Sequence, residues 1–268
     1  MTQTLTTTPP GRYRIRQVVR AETIKMLTLR STAVMLGITV VATLAVTVLT
    51  SHAALHHTAQ YYLGFDPTQQ AIGAMVIAGL TGGVFGALLI TGEYSSGTIR
   101  TTLAAAPRRP LLLAGKVVVT AVAATVFCVL LTLASFLLGE AVLAGGGAPH
   151  ADLGSPGALR AVVLTGLFVA LLALLSFGLG LLFRSTAAAI AAFVGIVFVL
   201  PLIMHGISDA GLRYVPTNLL TNSVMSTVNQ GPGELVRPFP PAVALLLMAL
   251  YAAVVVAAGA VRFVRRDA

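Results

Sequence analysis

Charge is what this sequence has least of. Only 9% of its 268 residues are Asp, Glu, Lys or Arg, and Trp is absent, whereas a soluble domain carries about 25% charged residues. That scarcity excludes a soluble single-core protein. One cysteine, Cys128, lies in an apolar run, so no intrachain disulfide exists and the thiol is expected to pack as a small hydrophobe. Nucleotide and catalytic motifs are missing too. The one Gly-Lys pair, Gly115-Lys116, is followed by Val117, and Pro110 stands where a phosphate-cradling loop needs its first glycine. Neither a His-Glu-x-x-His zinc helix nor a Gly-x-Ser-x-Gly elbow occurs. The chain is therefore expected to be no enzyme and to hold no cofactor or metal of its own. His52, His56 and His57 read as a wet helix end rather than a metal site.

What is abundant is apolar sequence: 57% of residues are hydrophobic and mean hydropathy is +0.93. Such a chain is expected to be an all-α polytopic membrane protein, a single transmembrane domain over residues 1–268. Six runs have about the 20-residue length that crosses a bilayer: 33–50, 70–90, 112–138, 161–183, 187–207 and 241–261. Fourteen of the 17 basic residues fall on one set of alternating segments: the N-terminal tail, the loop around Arg100, Arg108, Arg109 and Lys116, the turn at Arg184, and the C-terminus. Arg160, Arg213 and Arg237 fall on the other. Positive loops face the cytoplasm, so both termini are expected there, with the chain in the cytoplasmic membrane. The same distribution explains the net charge of +9 without nucleic acid. Ser51-His52-Ala53 loosely resembles a signal-peptide cleavage site, but the long polar and basic segment before the first run favours an uncleaved span.

Residues 12–30 carry Arg12, Arg16 and Arg20 at four-residue spacing, with Ile15, Val18, Val19 and Met26 on another side. This pattern predicts an amphipathic helix in the inner leaflet, with a solvated basic tail as the alternative. Thr39, Thr43 and Thr47, continued by Ser51, place hydroxyls on one face of span one, to line a translocation path or to contact another span. Gly79, Gly82, Gly83 and Gly86 in span two predict close helix packing. Pro201 is expected to kink or end span five. No charged residue lies near the centre of any run. That argues against coupling to protons or sodium, which intramembrane carboxylates usually hold, and suits amphipathic or apolar cargo.

The most informative stretch is the loop 91–110, Thr91-Gly92-Glu93-Tyr94-Ser95-Ser96-Gly97-Thr98-Ile99-Arg100 onward to Arg108-Arg109-Pro110. Gly97 frees the backbone, Thr98 can cap a following helix, and Pro107 ends it, so a two-turn helix is expected over 99–106. Ile99, Leu103 and Ala106 share one side of it and Arg100 takes another. The alternative is a tight hairpin whose arginines only set topology.

Glu93 through Arg100, then Leu103-Ala104-Ala105-Ala106-Pro107-Arg108-Arg109 and Gly115-Lys116, resemble the loop between spans two and three of type-2 ATP-binding-cassette (ABC) transporter permeases. The six-span layout, the basic helix before span one and Tyr214-Val215-Pro216-Thr217-Asn218 resemble that family also, especially its actinobacterial members. The resemblance implies the membrane subunit of an ABC exporter of drugs, antibiotics, lipids or peptides. Its coupling residues are then Glu93, Gly97, Thr98, Ile99, Arg100, Leu103, Pro107, Arg108 and Arg109. It implies two copies of a cytoplasmic ABC ATPase, which bind ATP and Mg, and a second permease, itself or a sister chain. A membrane scaffold or sensory subunit and a secondary transporter are the alternatives from the residues alone.

Overall fold

The computed structural model describes residues 15–57, 59–98, 109–207, 209–227 and 238–266. Among these, no strand occurs, and six helices are long and apolar enough to cross a membrane. Helix α1 (Ile15–Thr28) precedes the first span, α2 (Arg30–Ala54). The second span is broken into α3 (Pro67–Ile72) and α4 (Met75–Ser95); α5 (Arg109–Gly145), α6 (Ala158–Phe183), α7 (Thr186–His205) and α9 (Pro241–Arg266) supply the others. Between α7 and α9 a short helix, α8, covers 216–225, its last part in π-helical form.

In lipid the hydrophobic effect no longer drives helices together, so close approach and polar contacts decide the packing. Helix α6 shows this best. It is the central helix, buried on nearly all sides, and packs against α4, α5 and α9. Small residues make that possible. A Cβ added at Gly86 of α4 would stand 2.1 Å from the Ala173 carbonyl oxygen, and one at Gly178 would stand 2.8 Å from the Val256 backbone nitrogen. Gly79 faces Leu172, and Gly83 takes the ring of Phe193 from α7. Gly82 departs from the expected packing set: nothing lies within 4 Å of its Cβ position, and at about 100° per residue it stands at the rim of the face that Gly79, Gly83 and Gly86 present.

The first span is polar inward and apolar outward. Thr32, Thr39, Thr43, Thr47 and Ser51 are buried, while Val34, Ile38, Val41 and Leu49 are exposed. The hydroxyl of Thr47 meets that of Ser135 on α5 at 2.7 Å, and Ser135 Oγ also donates to the Ala71 carbonyl at 2.9 Å. Thr39 bonds back to the Met35 carbonyl. Within one chain, then, this hydroxyl face is a helix contact.

Pro201 does not end its helix. A π-helical turn, Gly195–Val199, precedes it and the helix continues through Leu200–His205. Proline lacks the N–H that the carbonyl four residues earlier would accept, and that carbonyl belongs to Val197. The hydroxyl of Thr217, on α8, donates to it instead. Thus α8 is held against α7 at the proline, with its own Leu219, Leu220, Val224 and Met225 buried. Irregular helix at membrane depth is tolerated when it is covered by protein in this way.

Candidate functional site

The site builds up at the end of the bundle where α4 finishes and α5 starts, the two ends of the 93–116 segment. Glu93 lies in the last turn of α4 and Lys116 near the start of α5, and each is only 4% exposed. A buried charge is costly unless an opposite charge and hydrogen bonds meet it. Lys116 Nζ donates to Glu93 Oε1 at 2.5 Å and to Glu22 Oε1 of α1 at 2.7 Å. Lys25, also on α1, donates to the same Glu93 oxygen. Two cations and two carboxylates from three helices therefore form one neutral cluster.

Gly115 explains how α1 reaches it. A Cβ there would come within 2.5 Å of Val18 Cγ1, so the missing side chain lets α1 lie directly on α5. Glycine and lysine act together in Gly115-Lys116, one admitting the helix and the other pairing with its Glu22. Helix α1 is amphipathic, but with a different division from the expected one. Its packed side holds Val18 with Glu22, and its exposed side mixes Ile24 and Leu27 with Arg16 and Arg20. The ion pairs turned the acidic residue inward, which a pattern of apolar spacing does not register.

Further contacts tie the end of α4 to the rest of the bundle. Arg184, in left-handed conformation at φ 57°, caps α6. Its guanidinium stands 5.6 Å from the Tyr94 ring centre and donates to the Arg262 carbonyl of α9 at 3.1 Å. Thr186 Oγ1 donates to Thr91 Oγ1 at 2.8 Å. A cavity of about 400 Å³ opens beside the cluster, between α1 and α2 on one side and α4 on the other.

Of the residues singled out for coupling, Glu93 sits in this cluster. Gly97 follows α4 with φ +71°, the left-handed conformation that suits glycine. Thr98 is exposed and its hydroxyl lies 2.9 Å from that of Ser96. Arg109 is the first residue of α5. Ile99, Arg100, Leu103, Pro107 and Arg108, with the short helix expected over 99–106, lie outside the described residues. Glu22 and Lys25 were counted in the sequence only as charges, and Lys116 entered the resemblance beside Gly115 without a partner assigned to it. The readable signal was Lys116 itself, a lysine just inside an apolar run, which requires a counter-ion.

The opposite end of the bundle is built differently. Asp66 Oδ1 accepts from the Gln69 backbone at 3.0 Å, capping α3, and from the Thr227 hydroxyl at 2.8 Å; its Oδ2 accepts from the Thr227 backbone at 2.6 Å. Glu140 Oε2 accepts from the Ala151 backbone at 2.8 Å. Arg160 donates to the Ser226 carbonyl. The His52 and His56 rings meet edge to face at 5.1 Å, and His57 stacks on Tyr61.

Residues 50–268, most of the chain, match the family model of the ABC-2 family transporter proteins. The chain belongs to that family. Among curated proteins none matches it. Family membership makes it the permease subunit of an ABC-type transporter, a multi-pass membrane protein that associates with an ABC ATPase. In this ABC-2 permease the match begins inside α2. Glu93 and Lys116 therefore lie within the family's common region, and α1 with Glu22 and Lys25 precedes it.

Proposed function

We propose that the chain is the membrane-spanning subunit of an ATP-driven exporter that moves an amphipathic or apolar substrate (drug, antibiotic, lipid or peptide) across the cytoplasmic membrane. Both termini and the 91–110 loop face the cytoplasm, as the distribution of Lys and Arg favours. The loop is the docking element for two copies of a separate ATPase, which supplies the ATP and Mg sites; this chain is no enzyme. A second permease, the same chain or a sister, completes the translocation path.

The observation that carries this reading is the cluster joining Glu93 to Lys116 and both to α1. A force applied to a loop moves whatever its ends are fixed to. Here the loop's two ends are fixed to each other and to α1, so a push at 97–107 displaces α4, α5 and α1 as one body. Closure of the ATPase pair drives transport only through contacts that differ between the two states, and this three-helix unit is the piece that changes place. The absence of charge from the middle of the spans supports apolar cargo.

The test is reconstitution with the ATPase that copurifies from the native host. ATP-dependent flux from vesicles is expected for the wild type. Leu103→Asp and Ala105→Pro should leave the protein inserted and ATP hydrolysis running while flux is lost. Undiminished flux in both variants removes the docking assignment. Flux that follows an ion gradient without ATP, or no flux at all, replaces the exporter by a secondary transporter or a scaffold.

A further inference from the structure

The cavity beside the charge cluster has its own chemistry. One wall and the floor are apolar, formed by Met35, Phe85, Leu88, Leu89 and Phe177. The end toward the cluster is lined by Glu22, Lys25, Glu93 and Lys116. Its volume of about 400 Å³ lies in the range of roughly 300–1,000 Å³ typical of small-molecule sites. Exposed Leu29 and Ser31 border it, so the surroundings of the bundle have access. An apolar space ended by fixed charges, at the membrane end where α1 exposes Ile24 and Leu27 beside Arg16 and Arg20, has the form of a lipid with its head at the interface.

Two groups of the cluster are not fully used. Glu93 Oε2 is buried and has no hydrogen-bond partner among the described residues. Lys25, 40% exposed, gives one of its three donors to Glu93. An acceptor without a donor and a cation with donors to spare, in a cluster of zero net charge, complement a head that bears both a phosphate and an N–H cation. A choline head has no N–H to give, and an anionic glycerol head has no cation.

We propose that this cavity binds one bilayer phospholipid with a zwitterionic, primary-ammonium head, phosphatidylethanolamine being the simplest. The phosphate meets Lys25, the ammonium meets Glu93 Oε2, and an acyl chain fills the apolar part between α2 and α4. The lipid then wedges α1 and α2 against the root of the 93–116 segment. The binding does not depend on the export reading, since it concerns this chain and the membrane alone.

Native mass spectrometry of the full-length chain, extracted from nanodiscs of equal parts phosphatidylethanolamine, phosphatidylcholine and phosphatidylglycerol, reads it directly. One phosphatidylethanolamine per chain is expected, retained about tenfold over either of the others, as the loss of one charge-assisted hydrogen bond dictates. Gly92 lines the cavity and nothing lies within 4 Å of its Cβ position, so a side chain can start there, and Gly92→Phe should occupy the space and abolish retention. Gly37→Phe is the matched control: it has equally open space, on the exposed side of α2, and does not line the cavity, and it should keep the lipid. Equal retention of the three lipids overturns the head-group assignment, and retention unchanged in Gly92→Phe overturns the site. Capture of a non-lipid amphiphile in place of phosphatidylethanolamine also overturns the proposal.

Discussion

The two ends of the bundle hold their carboxylates in opposite ways. At the end where α4 meets α5, Glu22 and Glu93 are neutralised by Lys116 and Lys25 from other helices. At the far end, Asp66 and Glu140 accept backbone N–H and hydroxyl donors from short connecting segments. The first arrangement welds long helices to one another. The second pins loops onto helix ends. On the proposed reading the 93–116 segment carries force between two spans and gains from the first, because ion pairs between rigid elements make them move together; segments that only cover the far end need no more than the second.

Several changes would break or sharpen this contrast. Removing the central cation should cost most. Lys116→Met leaves the buried Glu93 with only the 40% exposed Lys25 as counter-ion and takes the lysine away from Glu22, and a loss of about 3 kcal/mol is expected. Thermal unfolding in detergent, followed by a thiol-reactive dye at the buried Cys128, would show it as a lowered midpoint. Adding Glu93→Gln to Lys116→Met should recover most of the loss, since the more deeply buried carboxylate is then neutral and only the 16% exposed Glu22 lacks the lysine. A double variant no better than the single one would mean that Lys116 acts by packing rather than by charge.

At the far end Asp66→Ala removes the α3 cap and both bonds to Thr227, for about 2 kcal/mol, whereas Asp66→Asn should keep part of that through its remaining acceptor. Protease accessibility of the segment before α9 should rise in the first variant only. Glu140→Gln should change the unfolding midpoint little, by no more than about 1 kcal/mol, because an amide oxygen can accept from Ala151 as the carboxylate does. A large loss there would show that the far end also depends on charge. Smallest is Lys25→Met: the lysine is 40% exposed, and such pairs contribute about 0.2–1 kcal/mol. Added salt should weaken the Lys25 contribution and leave that of Lys116 nearly untouched, as burial limits screening.

The six runs of apolar residues set where the spans lie, because a run of that length with no charge has one stable environment. The observed helices extend several residues past most of those runs. Polar residues at the ends continue a helix once backbone hydrogen bonding is established, and α5 runs from Arg109 to Gly145 where 112–138 was expected. Glu93 was legible through resemblance and Lys116 through its position, but their pairing was not. The glycines of α4 were legible as a packing set only in part, since three face neighbours and Gly82 does not. The segment before α9 held no strong pattern, yet 209–212 and 216–225 are helical and the second of these is largely buried.

By itself, then, the sequence determined how many spans there are, the end to which the basic residues go and the family to which the chain belongs. Those follow from local composition and from short contiguous motifs. Only the tertiary structure decided that α6 is the central helix, that the hydroxyls of α2 face α5, and that Thr217 takes the carbonyl which Pro201 leaves free. It also decided that Glu22, Lys25, Glu93 and Lys116 are one cluster. Such pairings join residues up to 94 positions apart. They depend on which helix surfaces meet, and in lipid that is set by glycine gaps and polar contacts between helices rather than by any pattern along one of them.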